Sequence, residues 1–282
     1  AASGTIGHKF RERRGAVPVH GQEPPRVRTH RQQRREPEGD RRHHGGGAQA
    51  VRGAHLLTGK TLQTDILIAM ETAQDKYIRE HSTPQSEALA WIEKQTNIRT
   101  NYPQMLSGSV QGQLLKMLVE ISGAKRVLEI GSFTGYSAIC LASGLPADGH
   151  LDALEINDEL EDLMREGWDR AGVSERITLH IGDARETLTR LAAEGREYDF
   201  VYMDANKRQY VEYYELLLPM IRPGGLILAD DVLWDGKVYQ DPLPTDKQTV
   251  GICAFNDLVA TDPRVEAVIL PLRDGLTLIR KK

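Results

Sequence analysis

Cysteine is nearly absent: Cys140 and Cys253 are the only two in 282 residues, far apart and each inside an apolar helical pattern. Such spacing excludes a disulfide framework and a thiolate zinc site, and it fits packing residues of a reduced, cytoplasmic protein. Long hydrophobic runs are also missing. No stretch approaches the roughly 20 apolar residues that cross a bilayer, so no membrane association is expected. No internal repeat is present. The dinucleotide signature G-x-G-x-x-G is absent as well, because Phe133 and Tyr136 fall where it would need other residues. Ala54 to Thr61 reads A-H-L-L-T-G-K-T, close to a phosphate-binding loop, but Gly53 comes one residue too early and no strand precedes it. Nucleoside triphosphate binding is not expected there.

Charge is unevenly spread. Residues 1–60 carry 13 Lys and Arg against 5 Asp and Glu, whereas residues 61–282 carry 23 against 35. The overall −4 therefore averages a basic tail with an acidic body. The tail has little apolar periodicity, and runs such as Arg34 to Arg42 cannot bury a core, so it reads as low-complexity and disordered. Its acids argue against a transit peptide. A basic arm for nucleic acid is the competing reading, and nucleic acid is not the expected partner.

From about Thr61 apolar residues recur at helical spacing, Leu62, Ile66, Ala69, Met70, Ala73 and Tyr77. Ser86 suits the N-cap of a second helix, and Gln111 to Ile121 form a third. Regular alternation follows: strands over 126–130, 150–156, 176–181, 198–203 and 225–229, with helices over 135–143, 158–171, 184–193 and 208–221. Short units of this kind imply a parallel sheet with helices on both faces. A helix near 247–260 precedes two strands, 265–270 and 276–279, around the turn signal Asp274-Gly275. One α/β domain over 61–282 is expected, mostly parallel, with an antiparallel hairpin at its end.

Five strand ends finish on carboxylates: Glu129, Glu155, Asp183, Asp204 and the pair Asp230-Asp231. Ligands of open α/β sheets bind outside the carboxyl ends of the strands. Acids converging there repel one another unless cations sit among them. Gly131 and Gly135 in the first strand-to-helix turn permit close approach to the backbone. Glu155 can accept the two hydroxyls of a ribose, and Asp183-Ala184 can meet an adenine edge. Together they suggest a nucleoside cofactor site without phosphate chemistry. Asp204, Asp230 and Asp231 can meet at adjacent strand ends, and three hard oxygen ligands suit Mg²⁺, Ca²⁺ or Mn²⁺. Turn capping is the plainer role for each aspartate.

The stretches Glu129 to Ser137 (EIGSFTGYS), Asp204 to Lys207 (DANK) and Asp230 to Gly236 (DDVLWDG) resemble the cation-dependent O-methyltransferases. These include the caffeoyl-CoA O-methyltransferase-like and catechol O-methyltransferase-like enzymes. Met105 to Gln113 and Leu272 to Leu278 fit the same family, so the resemblance covers about residues 77–282. It implies a Rossmann-like class I methyltransferase fold with a seven-stranded sheet, S-adenosylmethionine as cofactor, Mg²⁺ ahead of other divalent cations, a small phenolic acceptor and a homodimer. By position, Ser107, Glu129, Gly131, Ser132, Ser137, Glu155, Asp183, Ala184 and Asp204 would surround S-adenosylmethionine. Asp204, Asp230 and Asp231 would hold the metal, with Lys207 and Asp204 catalytic. Trp234 and Met105 would meet the acceptor, although Trp234 equally suits a loop anchor against a dimer partner. Lys207 is placed as the base, provided desolvation lowers its pKa; an exposed lysine at a helix start is the plainer alternative.

Two departures stand out. Asp231 occupies a position commonly held by Asn, and Asn206 one frequently held by Asp. Segment 245–256 lacks the Arg and Tyr residues with which plant members meet coenzyme A esters, which speaks against a CoA-linked acceptor. The competing functions are an RNA methyltransferase using the basic tail and a non-catalytic S-adenosylmethionine-binding protein.

Overall fold

The computed structural model describes residues 72–282. The tail, and the part of the first helical pattern before residue 72, lie outside the described residues. What remains of that pattern is α1 (Ala73–Glu80), opened by a reciprocal cap in which Thr72 and Asp75 bond each other's backbone N–H. α2 (Glu87–Arg99) starts at Ser86, whose hydroxyl accepts from the Leu89 N–H as the sequence suggests. α3 (Gly108–Ser122) ends at Gly123, in the left-handed conformation that glycine adopts without strain.

The alternation then runs β1 (Arg126–Ile130), α4 (Tyr136–Ser143), β2 (His150–Glu155), α5 (Glu161–Ala171), β3 (Ile177–Ile181), α6 (Ala184–Ala193), β4 (Tyr198–Met203), α7 (Tyr210–Leu217), β5 (Ile221–Asp230), α8 (Lys247–Thr261), β6 (Val265–Leu270) and β7 (Leu276–Lys281). These seven strands form one sheet in the order β3-β2-β1-β4-β5-β7-β6. β1 to β5 are parallel, and β7 joins β5 and β6 antiparallel, as expected.

Two boundaries differ from the sequence reading. The helix expected over 208–221 stops at Leu217, because Pro219 cannot continue it and a tight turn, Leu218–Met220, takes over. β5 begins at Ile221 instead of 225, since Ile221 pairs with Tyr198 across an irregularity in the register.

Side chains alternate across each strand, so neighbouring residues enter different cores. Phe200 and Tyr202 join Ile92, Leu115, Ile139 and Trp168 on one face. Val201 and Met203 join Leu188, Tyr214 and Phe255 on the other. Both faces are thereby covered, as a parallel sheet requires. Among the described residues no helix is long and apolar enough to cross a membrane.

Candidate active site

The sheet reverses its winding between β1 and β4, and the crevice outside their carboxyl ends is where such folds bind ligands. A cavity of about 750 Å³ lies there, within the usual range for small-molecule sites. Two backbone bonds set its floor: Gly131 N–H to Leu154 O, and Asp204 N–H to Ile130 O, each 2.9 Å. Gly131 has φ +91°, and a Cβ there would stand 2.1 Å from the Asp204 carbonyl oxygen. The two strand ends can approach this closely only with glycine at 131.

Of the residues expected at the cofactor, Ser107, Gly131, Ser132, Ser137, Glu155, Asp183, Ala184 and Asp204 line the cavity. Glu155 is held firmly: Oε2 accepts from Phe133 N–H at 2.7 Å, and Oε1 from Ile156 and Asn157 N–H, both at 2.9 Å. Asp183 caps α6 through the Arg185 N–H and pairs with the Arg185 guanidinium at 2.7 Å, which holds its carboxyl below the usual range.

Glu129 sits deeper than the other strand-end acids, fully buried behind the glycine turn. Ser132 Oγ donates to its Oε2 at 2.5 Å, while Oε1 has no partner. Burial pushes its pKa up to about 7, against the lowering effect of Ser132 and Ser137.

The second group of acids centres on Lys207. Its ammonium donates to Asp204 Oδ1 at 2.7 Å and to Tyr210 Oη at 2.6 Å, and lies 3.2 Å from Asp231 Oδ2. Burial acts to lower its pKa, but the charges of Asp204 and Asp231 outweigh that effect and raise it well above the ordinary lysine value. The two carboxylates thus favour the ammonium form, opposite in direction to the lowered pKa that a base would need.

Asp230 is buried, at 3 % exposure. Its Oδ2 accepts from Gln111 Nε2 at 2.5 Å and from Tyr202 Oη at 2.6 Å, and Oδ1 accepts from Asp231 N–H at 2.9 Å. Burial, then Asp204 and Asp231, raise its pKa to about 6. Asp204 and Asp231 line the cavity, and Asp230 lies behind them within reach of both charges. Among the described residues no group of three or more His, Cys, Asp or Glu side chains is disposed to hold a metal ion. Gln111 and Tyr202 hold the Asp230 carboxylate within the protein.

Trp234 and Met105 both line the cavity, Met105 at 54 % exposure. The loop carrying Trp234 is strained, with positive φ at Asp231, Trp234 and Asp235. Asn256 Nδ2 ties it down through the Val232 carbonyl at 2.9 Å.

Tyr202, Gln111 and Tyr210 escaped the sequence reading. Tyr202 stands two residues before Asp204 on β4, and Tyr210 three residues after Lys207. Strand and helix periodicity could have put each on the side of its partner. Gln111 on α3 carries no such local signal.

Residues 79–282 match the O-methyltransferase family. The caffeoyl-CoA O-methyltransferase of Eucalyptus gunnii is 33% identical over 246 residues, covering 84% of this chain and 96% of the relative. The O-methyltransferase of Bacillus cereus, crystallised with SAH, superposes with a TM-score of 0.70 at 33% identity, covering 76% of this chain and all of the other. TomG of Streptomyces achromogenes, an O-methyltransferase involved in tomaymycin synthesis and crystallised with SAM, gives 0.70 at 30% identity, covering 76% and 98%. With a family match over residues 79–282 and a relative 33% identical over nearly its whole length, the chain belongs to the O-methyltransferase family.

Proposed function

We propose that this enzyme transfers a methyl group from S-adenosylmethionine to one hydroxyl of a catechol-type small molecule with the help of a divalent cation. The carrying observation is one cavity with two unlike halves. Glu155, Asp183 and Ala184 line one part, suited to a nucleoside, and Asp204, Asp231 and Lys207 line another. The unpartnered Oε1 of Glu129 behind the glycine turn suits the amino group of a cationic cofactor.

The donors fit a hard cation in kind. Asp204 and Asp231 offer carboxylate oxygens on the cavity wall. Asp230 would complete the set by giving up a bond to Gln111 or Tyr202. When bound, the cofactor supplies an electrophilic methyl group and the cation lowers the pKa of the phenol.

The chain's own residues orient and polarise. The three backbone N–H bonds to Glu155 keep its remaining lone pairs aimed at a ribose. Lys207, as an ammonium ion, favours a phenolate beside Asp204 by charge, and alignment and electrostatics together supply most of the acceleration. The relatives named for caffeoyl-CoA extend the acceptor class to phenolic esters, but the lack of Arg and Tyr in 245–256 favours a free acid. A homodimer belongs to the same reading, and analytical ultracentrifugation tests it.

The deciding assay is methyl transfer to caffeate with and without metal. Turnover should vanish in EDTA and return with Mg²⁺. Undiminished turnover in EDTA would remove the cation, and no turnover on any vicinal diphenol would remove the acceptor class.

A further inference from the structure

Two cationic side chains line the cavity, Lys207 and Arg208. Lys207 is consumed by Asp204 and Asp231. Arg208 is not consumed: its backbone N–H bonds Asn206 Oδ1 at 3.3 Å, but its guanidinium has no hydrogen bond or ion pair among the described residues. This contrasts with Arg185, which is paired with Asp183 and Glu212 nearby. Lys237, whose ammonium stands over the Trp234 ring 5.5 Å from the centroid, is not among the residues lining the cavity.

The backbone of Arg208 is fixed in place. Gly251 of α8 packs against it so closely that a Cβ at 251 would meet Lys207 O at 2.6 Å and Arg208 Cα at 2.9 Å. Arg208 therefore stands where α8 meets the cavity, next to Lys207 and on the same wall as Gln248. The remainder of the chain beyond residue 60 is strongly acidic, with 23 Lys and Arg against 35 Asp and Glu, which disfavours any anionic ligand at long range. Of the two cationic side chains lining the cavity, Arg208 is the one with no carboxylate partner among the described residues, so it is the one free to meet an anionic group on a ligand. A planar guanidinium also matches a carboxylate with two parallel bonds.

From this geometry we infer that Arg208 determines acceptor specificity by binding a carboxylate carried on the acceptor's side chain. The inference rests on the proposed function and narrows its substrate class to anionic catechols such as dihydroxycinnamates and dihydroxybenzoates.

Caffeate and its methyl ester provide the test, since they differ at neutral pH by one negative charge. Kinetic constants for both are measured on the wild-type protein and on Arg208→Gln and Arg208→Lys. The wild type should favour caffeate in kcat/KM. Arg208→Gln should raise KM for caffeate about tenfold more than for the ester, the low end for a charge-assisted bond whose donor stays partly in water. Arg208→Lys should recover part of that loss. Equal kcat/KM for the two acceptors in the wild type, or equal changes for both in Arg208→Gln, would overturn the inference while leaving the proposed function intact. Failure of the wild type to methylate either compound would remove both. Because the guanidinium makes no bond within the described residues, the variants should keep the wild-type melting temperature.

Discussion

Lys207 donates to Asp204 across 2.7 Å while standing 3.2 Å from Asp231, so one buried ammonium is shared by two carboxylates from different strand ends. Position alone made this lysine a base. Its surroundings make it a fixed positive charge, because Asp204 and Asp231 stabilise the protonated form more than burial destabilises it.

Lys207→Met should therefore lose stability as well as activity. Removing one partner of a buried ion pair costs about 3–5 kcal/mol, and because Asp231 is 37% exposed here about 2 kcal/mol is expected. For a protein of this size that corresponds to a melting temperature lower by roughly 4–8 °C. The folded pKa lies above the unfolded value, so the stabilisation is complete below pH 10.5 and lost only as pH rises through the higher folded value. Calorimetry of both proteins at pH 7 and pH 10, in metal-free buffer, should show the same gap. A gap already closed at pH 9 would mean Lys207 is neutral in the folded protein.

Tyr202→Phe removes one oxygen and little volume. That oxygen donates to Asp230 at 2.6 Å, accepts from Gln111 at 2.9 Å and lies 3.4 Å from Ser107 Oγ. It thus joins the cofactor wall to the aspartates. The variant should lose about 1–3 kcal/mol, the usual cost of an unsatisfied buried polar group, and chemical denaturation measures this directly. An unchanged unfolding midpoint would show that Asp230 is satisfied without the tyrosine.

Much of this site was legible because strand ends carry their own signal. An apolar run that stops at a carboxylate puts that acid at the sheet's edge, and five parallel strands bring the edges together. That logic located Glu155, Asp183, Asp204 and Asp231 on one cavity. It did not reveal how deep Glu129 and Asp230 sit, because depth depends on partners elsewhere. Ser132 bonds Glu129 inside, and Asp230 is bonded by Gln111, 119 residues away in sequence. Periodicity cannot report a bond between elements that distant. The helix overrun past Leu217 has a more local cause: Pro219 was visible, but its effect on where β5 begins depended on the pairing of Ile221 with Tyr198.

Gly131→Ala should be far more harmful than a methyl group suggests. The new Cβ would sit 2.1 Å from the Asp204 carbonyl, in a left-handed conformation that alanine resists. Relief requires parting β1 from β4 under the cavity floor, at a cost of roughly 3 kcal/mol or more. The expected result is a melting temperature at least 6 °C below wild type, by the scaling of about 2–4 °C per kcal/mol, together with loss of SAH binding in calorimetric titration. Full SAH affinity in a folded variant would show that the glycine serves only the turn.

Glu129 carries the clearest dependence on pH. Burial raises its pKa from 4.5 to about 7, so the folded protein binds this proton more tightly than the unfolded chain does. The sign follows: its contribution to stability is complete below about pH 4.5 and lost as pH rises through about 7. The loss is on the order of 3 kcal/mol, from 1.36 kcal/mol per pKa unit. Glu129→Gln, which cannot ionise, should lack this decline and be more stable than wild type at pH 8, as denaturant titrations at pH 5 and pH 8 would reveal. Cofactor binding should run the other way. A cationic amino group near the unpartnered Oε1 favours the carboxylate, so wild-type affinity for SAH should rise between pH 6 and pH 7.5, with proton release detectable by calorimetry in two buffers of different ionisation enthalpy. In Glu129→Gln that rise should flatten. A variant that keeps the wild-type pH dependence of SAH affinity would separate Glu129 from the cofactor and leave it a purely internal tie for Ser132 and Ser137.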